Sequence, residues 1–207
     1  MPLLKNLILP IIFSGLLYGW NKEENSKTSN PIIASDKTIE GKFLRTYRWD
    51  KILDEKEEKY KIEKGLLKGL AMRESYGDPL RLNEAGDGGV GLFMFQPGTA
   101  KYYGLDIYGN SNKTAVDKKH GKKLKEIVKK NKNDYEKLAK IDERFDVDKS
   151  SEAAAKFLKQ LYNGNDYSWD KALSAYNRGT PARNSSSTAH VKFIRNYQDY
   201  YNSRDNN

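Results

Sequence analysis

Glu74 is the residue whose position in the sequence most favours chemistry. It follows Leu66 and Leu70 at intervals of four residues, so the three share the core-facing side of a predicted helix. It is also the last residue of that helix, beside the negative end of the helix dipole. Burial and the dipole both raise a carboxyl pKa towards that of a general acid. The pattern also fits a glutamate paired with Arg73 or Lys68 at a solvated helix end.

The composition excludes several other kinds of active site. The 207 residues contain no Cys and two His, which excludes thiol nucleophiles and cysteine zinc sites. We therefore expect carboxylate chemistry with no metal and no cofactor. Hydrolysis by two carboxylates needs a second acid facing the first. Asp78, Glu84 and Asp87 are near Glu74 in sequence, but their loop positions favour solvated or turn-forming roles.

A glycine-rich turn follows Glu74. Residues 83–91 include four glycines, and such a loop lets the backbone approach a ligand closely. The turn lacks the Gly-Lys-Ser/Thr ending and the preceding strand of a phosphate-binding loop, so we do not expect a nucleotide site. Pro97 then begins another predicted helix.

The apolar periodicity predicts helices elsewhere and no strand. Helical spacing recurs over 49–60, 62–74, 150–163 and 169–176. No segment alternates as a half-buried strand does. We predict a mostly α fold, and the chain has room for one domain with a sizeable core.

The amino terminus is typical of an export signal. Lys5 precedes an apolar run over 7–18 that is too short to span a bilayer. We predict a signal peptide or short anchor over 1–20, a polar linker over 21–43 and the folded domain over 44–207. The domain is therefore expected in the periplasm or cell envelope.

The formal net charge of +9 favours an anionic partner. Nucleic acid is the usual partner of a basic chain, whereas an exported protein meets the acidic polymers and peptide stems of the envelope. We expect no nucleic acid partner. A lysine-rich composition without any anionic partner explains the charge as well.

Four short segments, in this order, resemble the motifs of the lytic murein transglycosylases of the soluble-transglycosylase domain class. They are Arg73-Glu74-Ser75, Gly91-Leu92-Phe93, Pro97-Gly98-Thr99-Ala100 and Ala175-Tyr176-Asn177-Arg178-Gly179. The family fold is similar to goose-type lysozyme. Further likeness over 103–105, 142–154 and 170–173 resembles most closely the membrane-bound lytic transglycosylase D branch.

The resemblance implies a reaction in which Glu74 is the sole general acid/base. Glu74 would protonate the glycosidic oxygen between N-acetylmuramic acid and N-acetylglucosamine. The substrate's acetamido group would relieve the positive charge, and Glu74 would then take the proton of the muramoyl 6-hydroxyl. The product would be a 1,6-anhydro sugar.

The resemblance also implies a set of residues that contact or support the substrate. Tyr176 would orient Glu74, Ser75 would support the turn, and Gly91 and Leu92 would bring the backbone close to the sugar. The full predicted set is Ser75, Asn83, Gly91, Leu92, Met94, Gln96, Tyr176 and Asn177.

The chain departs from the family pattern in the second motif. The family places Gln three residues after the Gly and Met two further on, whereas this chain has Met94 and Gln96. We expect Gln96 to supply the amide contact from a shifted turn. Asn83 stands near a position where the family often has Ser.

A second departure is an insertion over 106–141. It contains 11 Lys and five acidic residues, a net charge of +6, and a thin apolar stripe that predicts a helix. The lysines would contact anionic wall polymers or an envelope protein, or the insertion would be a solvated helical excursion.

The sequence therefore predicts a monomeric, mostly α lytic transglycosylase with a lysozyme-like fold and a Lys-rich insertion, acting on peptidoglycan glycan strands. Two alternatives remain open. One is a hydrolytic lysozyme of the same fold, and the other is a non-catalytic wall-binding or assembly module.

Overall fold

The structure, a computed structural model, describes residues 38–204. Within this range the chain forms α-helices, and its β-type pairing is limited to isolated bridges at Leu82–Val90 and Val90–Phe95. The helices are α1 (Ile39–Tyr47), α2 (Asp50–Tyr60), α3 (Leu66–Ser75), α4 (Pro97–Tyr102), α5 (Lys118–Lys130), α6 (Tyr135–Ile141), α7 (Val147–Gly164), α8 (Trp169–Arg178) and α9 (Ala189–Arg204), with one 3₁₀ turn at Ser185–Ser187. The predicted mostly α fold is confirmed.

Helix α3, which contains Glu74, lies at the centre of the fold. Eight of its ten residues are buried, and α9, α2, α1 and α7 pack around it. The helix begins at Leu66 rather than at Ile62 as predicted. Lys61 and Gly65 adopt left-handed conformations, with φ of 51° and 77°, which end α2 and delay the start of α3.

Two contacts fix the position of α3. The carboxylate of Glu57, at the end of α2, accepts hydrogen bonds of 2.6 Å from the N–H groups of Gly65 and Leu67. Further along, a Cβ at Gly69 would lie 2.6 Å from the carbonyl oxygen of Ile194 on α9. The helix is therefore capped at its start and held in close backbone contact with α9.

The beginning of the fold corrects the predicted linker boundary. The linker was predicted over 21–43, but α1 begins at Ile39 and is capped by the Thr38 hydroxyl. Phe43 is buried and stacks on Tyr200, with ring centroids 4.1 Å apart. The polar composition concealed this helix, because Phe43 is the one aromatic residue of the segment.

The predicted signal peptide or anchor over 1–20 lies outside the described residues. Within 38–204, no helix is both long and apolar enough to cross a membrane.

The insertion over 106–141 folds onto the domain as α5 and α6. Its apolar stripe is buried in a second, smaller core that joins the insertion to the loop after α3 and to the segment before α7. The buried residues of this core are Leu80, Val90, Leu124, Val128, Leu138 and Phe145. The insertion is therefore packed on the domain through its apolar stripe, while the lysines of α5 stay exposed to solvent.

A buried arginine ties the insertion to the glycine-rich loop. Arg144 and Asp142 are fully buried and form a two-pronged ion pair with distances of 2.8 and 2.9 Å. Arg144 also donates to the carbonyls of Gly88 (2.9 Å) and Phe95 (3.0 Å), and it lies 2.7 Å from Nε2 of His120 on α5. Burial and the adjacent guanidinium lower the His120 pKa, so the ring is neutral and accepts this hydrogen bond.

Candidate active site

Glu74 lies at the last turn of α3, where the chain leaves the core. Tyr76 adopts a left-handed conformation (φ 56°) and its N–H bonds to the Met72 carbonyl at 3.2 Å, which ends the helix. The predicted placement of Glu74 at the helix end is therefore correct. The carboxyl projects into a groove and not into the apolar core.

The surroundings of Glu74 favour the protonated carboxyl. Its side chain is 18% exposed, and within residues 38–204 no hydrogen bond holds the ionised form. Burial raises its pKa to about 7, and the positive charge of Arg73 opposes that rise. With this pKa, comparable fractions of the carboxyl are protonated and ionised near neutrality. A group that acts first as general acid and then as general base needs both forms to be accessible.

His190, which lies on the last helix, is a second titratable side chain at this site. Its Nε2 lies 3.8 Å from Oε1 of Glu74, and the atom is buried with no hydrogen-bond partner within the described chain. Burial lowers its pKa to about 4, with a further contribution from Arg73. The imidazole is therefore neutral near pH 7 and adds no charge beside Glu74. It comes from the start of α9, and no local spacing relates it to α3.

The groove around Glu74 has a volume of about 860 Å³. Five parts of the chain line it: the end of α3, the segment from 81 to 99, the insertion at 114–116, Phe157 of α7, and the end of α8 with the start of α9. The groove is lined by equal numbers of basic and acidic residues. They are Arg73, Arg81 and Arg178 with Glu74, Glu84 and Asp87.

Five predicted binding residues line this groove with Glu74: Asn83, Met94, Gln96, Tyr176 and Asn177. Asn83 shapes the loop, because its Nδ2 donates to Asp87 at 2.7 Å and its Oδ1 accepts from the N–H of Ala85 at 2.9 Å. Met94 has φ of 52°, a left-handed conformation that is strained for a side chain of this size. Their contacts with a sugar stay predictions.

Gln96 connects the groove loop to the insertion. In the amide orientation that satisfies its neighbours, Nε2 donates to the carbonyls of Ala115 (3.1 Å) and Asp87 (3.2 Å). The amide nitrogen is thus engaged by the backbone. The contact of Gln96 with a sugar stays a prediction.

Tyr176 has a different partner from the predicted one. Its hydroxyl donates to the carbonyl of Phe93 at 2.8 Å. Burial, and then the negative charge of Glu74, raise the Tyr176 pKa well above its usual value. Tyr176 therefore stays neutral and ties α8 to the second motif, close enough to Glu74 to feel its charge.

Ser75, Gly91 and Leu92 do not line the groove, and their predicted support of the turn and closeness to the sugar stay predictions. Ser75 is fully buried and its hydroxyl donates to the carbonyl of Ala71 at 3.1 Å. Leu92 is fully buried in the main core. Gly91 has φ of 84°, and a Cβ there would lie 2.0 Å from the Arg144 carbonyl, so glycine is required by packing.

The other acids near Glu74 in sequence have partners. Asp78 accepts from the N–H of Leu80 and does not line the groove. Asp87 accepts from Asn83 and from the N–H of Gly89 at 2.9 Å. Glu84 is 87% exposed and pairs with Arg81. No group of three or more His, Asp or Glu within residues 38–204 is placed to hold a metal ion.

A helical domain with one enclosed glutamate at a helix end, facing a long groove, is the architecture of lysozyme-like proteins. The family model of the transglycosylase SLT domain matches residues 51–121 and again residues 111–197. Together the matches span more than half of the chain, and the protein belongs to this family. The two matches overlap inside the insertion, as expected if the insertion interrupts the family domain.

The fold is therefore the lysozyme-like helical fold predicted from the motifs, and the function is of the lytic transglycosylase type, directed at peptidoglycan. No curated protein and no solved structure matches the chain significantly. The closer likeness to the membrane-bound lytic transglycosylase D branch stays a prediction.

Proposed function

We propose that the protein is a lytic transglycosylase that cleaves the β-1,4 bond between N-acetylmuramic acid and N-acetylglucosamine, with Glu74 as the sole general acid/base. The observation that supports this most directly is the state of Glu74. Its carboxyl faces the groove, has no hydrogen bond from residues 38–204, and has a pKa raised to about 7 by burial.

The reaction begins with the protonated form of Glu74. Its proton goes to the glycosidic oxygen as the bond from C1 to that oxygen breaks, and the bonding electron pair leaves with the oxygen. The acetamido oxygen of the muramoyl unit stabilises the positive charge that develops at C1. The enclosed site strengthens the interaction of the new Glu74 carboxylate with that charge.

The second half of the reaction restores Glu74. Its carboxylate removes the proton of the muramoyl 6-hydroxyl, and the oxygen closes onto C1 to give the 1,6-anhydro ring. No water is consumed, so no second carboxylate is needed to activate one. This agrees with the engagement of both oxygens of Asp87 by the loop and with the exposure of Glu84.

Substrate and location follow from the same proposal. The substrate is the glycan strand of peptidoglycan, and the protein acts as a monomer in the periplasm or envelope, after export by the 1–20 segment. The lysines on the exposed face of α5 support an additional attraction to anionic wall polymers or envelope proteins. No nucleic acid and no cofactor take part.

A hydrolase of the same fold is the second candidate, and the presence of Asp87 in the groove favours it. Hydrolysis requires Asp87 to leave one of its loop hydrogen bonds and activate water.

The products separate the candidates. Purified peptidoglycan is digested with the full chain, with Glu74→Gln and with Asp87→Asn, and the released muropeptides are analysed by mass spectrometry. We expect anhydro ends that are one water lighter than reducing ends, absent with Glu74→Gln and present with Asp87→Asn. Reducing ends that depend on Asp87 would establish the hydrolase, and wall binding without release by the unmodified chain would favour a binding module.

A further inference from the structure

The exposed side of α5 is densely covered with lysines. The helix contains seven lysines and one acidic residue, Glu126, and all eight side chains are exposed. We call the seven the α5 lysine surface: Lys118, Lys119, Lys122, Lys123, Lys125, Lys129 and Lys130. None of them lies within ion-pair distance of an acid among residues 38–204.

The helical repeat arranges these lysines in two rows. Residues three or four positions apart lie along one line of a helix. Two such lines are occupied by lysine, one by Lys118, Lys122, Lys125 and Lys129 and the other by Lys119, Lys123 and Lys130. Successive lysines of the first row are about 5–6 Å apart along the axis, and the row is about 17 Å long. The surface therefore matches a linear series of negative charges.

The lysines reduce the stability of the helix that carries them. Like charges four residues apart repel each other, as in the pairs Lys118–Lys122 and Lys125–Lys129. The first turn contains lysines and no acidic residue, which is unfavourable at the positive end of the helix dipole. The opposite side of α5 is buried in the second core and places no demand on the charge of the exposed side. Folding therefore does not explain the lysines, whereas binding of an anionic partner does.

The α5 lysine surface is fixed beside the groove but lies outside it. A Cβ at Gly121 would lie 2.2 Å from the carbonyl oxygen of Gly86, so α5 contacts the backbone of the glycine-rich loop directly. Nζ of Lys125 donates to the carbonyl of Glu84 at 3.0 Å, and Glu84 lines the groove. None of the seven lysines lines the groove. A partner bound to the surface therefore leaves the groove open.

The chemistry of the exposed side identifies the kind of partner. It offers ammonium groups and no exposed apolar side chain. Protein interfaces are depleted in lysine and centre on apolar or aromatic anchors, and a helix that enters a lipid surface needs a free apolar face. A flexible polyanion needs only closely spaced positive charges, because the release of its counterions drives binding.

We propose that the α5 lysine surface binds a flexible linear polyanion of the cell wall, with phosphate or carboxylate groups along its backbone. The surface is a second binding site, which holds the protein at the wall while the groove takes the glycan strand. The assignment of the polymer to the wall rests on the proposed function, whereas the binding of a polyanion by α5 does not.

Binding of synthetic polyanions tests the surface without turnover. The Kd of the full chain carrying Glu74→Gln is measured by fluorescence anisotropy for labelled poly(glycerol phosphate) and labelled poly-γ-glutamate, at about 50, 100 and 200 mM salt. Lys122→Gln with Lys129→Gln removes two contacts of the first row. We expect this pair to reduce the slope of log affinity against log salt by about 1.4 and to weaken binding about 10- to 25-fold at about 0.1 M salt. The polymer that binds more tightly identifies the anionic group.

The matched control is Lys51→Gln with Lys192→Gln, which removes two exposed lysines from α2 and α9 and gives the same net charge. We expect this pair to leave the salt slope unchanged. Equal loss of affinity in the two double variants would show that net charge explains binding, and it would overturn the proposal. Neither pair is expected to lower the melting temperature, because all four side chains are exposed.

Vesicles of anionic lipid test a membrane surface as the partner. At equal phosphate concentration, stronger binding to vesicles than to poly(glycerol phosphate) would overturn the proposal. Absence of binding to both polymers at about 0.1 M salt would overturn it as well. Polymer binding that depends on Lys122 and Lys129, with no bond cleavage in peptidoglycan by the unmodified chain, would contradict the proposed function and leave the polyanion site standing.

Discussion

Glu74→Gln is predicted to stabilise the fold at high pH and to leave stability unchanged at low pH. Burial raises the pKa of Glu74 from 4.5 to about 7. At about 1.36 kcal/mol per pH unit, this difference corresponds to about 3 kcal/mol of stability lost when the carboxyl is ionised in the folded state. The amide of Gln keeps the shape of the side chain and removes that cost.

The sign follows from proton binding. Between pH 4.5 and about 7 the folded protein holds the Glu74 proton and the unfolded chain has released it, so the Glu74 contribution to stability falls as pH rises. The cost is absent below 4.5 and complete above about 7. The stabilisation by Glu74→Gln is therefore expected to grow across this window, to about 3 kcal/mol at most.

Urea unfolding of both proteins, followed by tryptophan fluorescence at about pH 4, 6 and 8, measures this difference. Other carboxyls titrate alike in the two proteins, so their effects cancel in the comparison. A difference in unfolding free energy that is the same at every pH would refute the argument that burial controls the protonation of Glu74.

Three further predictions test the surroundings of the site. Glu57→Gln makes the same chemical change at the cap of α3, where burial likewise raises the pKa of the carboxyl to about 7, but here the amide replaces an acceptor of two backbone N–H groups, so its net stabilisation in urea unfolding at pH 8 is expected to be about 1–3 kcal/mol smaller than that of Glu74→Gln; a stabilisation equal to that of Glu74→Gln would contradict the capping role. Arg144→Met leaves Asp142 buried without its cation and is expected to cost about 3–5 kcal/mol in the same assay; a cost below about 1 kcal/mol would mean that the network does not hold the insertion. His190→Lys places an ammonium near Glu74 and is expected to lower the pKa of Glu74, which moves the alkaline limb of the pH–rate profile down by about one pH unit or more if Glu74 is the general acid; an unshifted limb would contradict that role of Glu74.

Local periodicity was sufficient to predict most of the helices and the place of Glu74. Residues four apart share one helix face, so the common face of Leu66, Leu70 and Glu74 could be predicted from the local sequence. Gly77 and Pro79, which follow Glu74, likewise mark a helix end. The start of α3 was missed because the left-handed turn at Gly65 interrupts an apolar pattern that continues on both sides of it.

The parts that the sequence did not predict depend on contacts between distant segments. His190 reaches Glu74 because α9 packs on α3 at Gly69, and no spacing within α9 encodes that contact. Arg144, which contacts the His120 ring, also lies far from it in sequence. A motif comparison identifies Gly91 as a family residue, but the Arg144 carbonyl packed against it is visible only in the folded chain.

Glu74 is expected to perform transglycosylation without water as a reactant. The most direct test of this claim is digestion of purified peptidoglycan by the full chain in water labelled with heavy oxygen, with mass spectrometry of the muropeptide ends and Glu74→Gln as the control. We predict 1,6-anhydro ends that contain no heavy oxygen and disappear in the control. Reducing ends that contain one heavy oxygen atom would contradict the claim and establish hydrolysis.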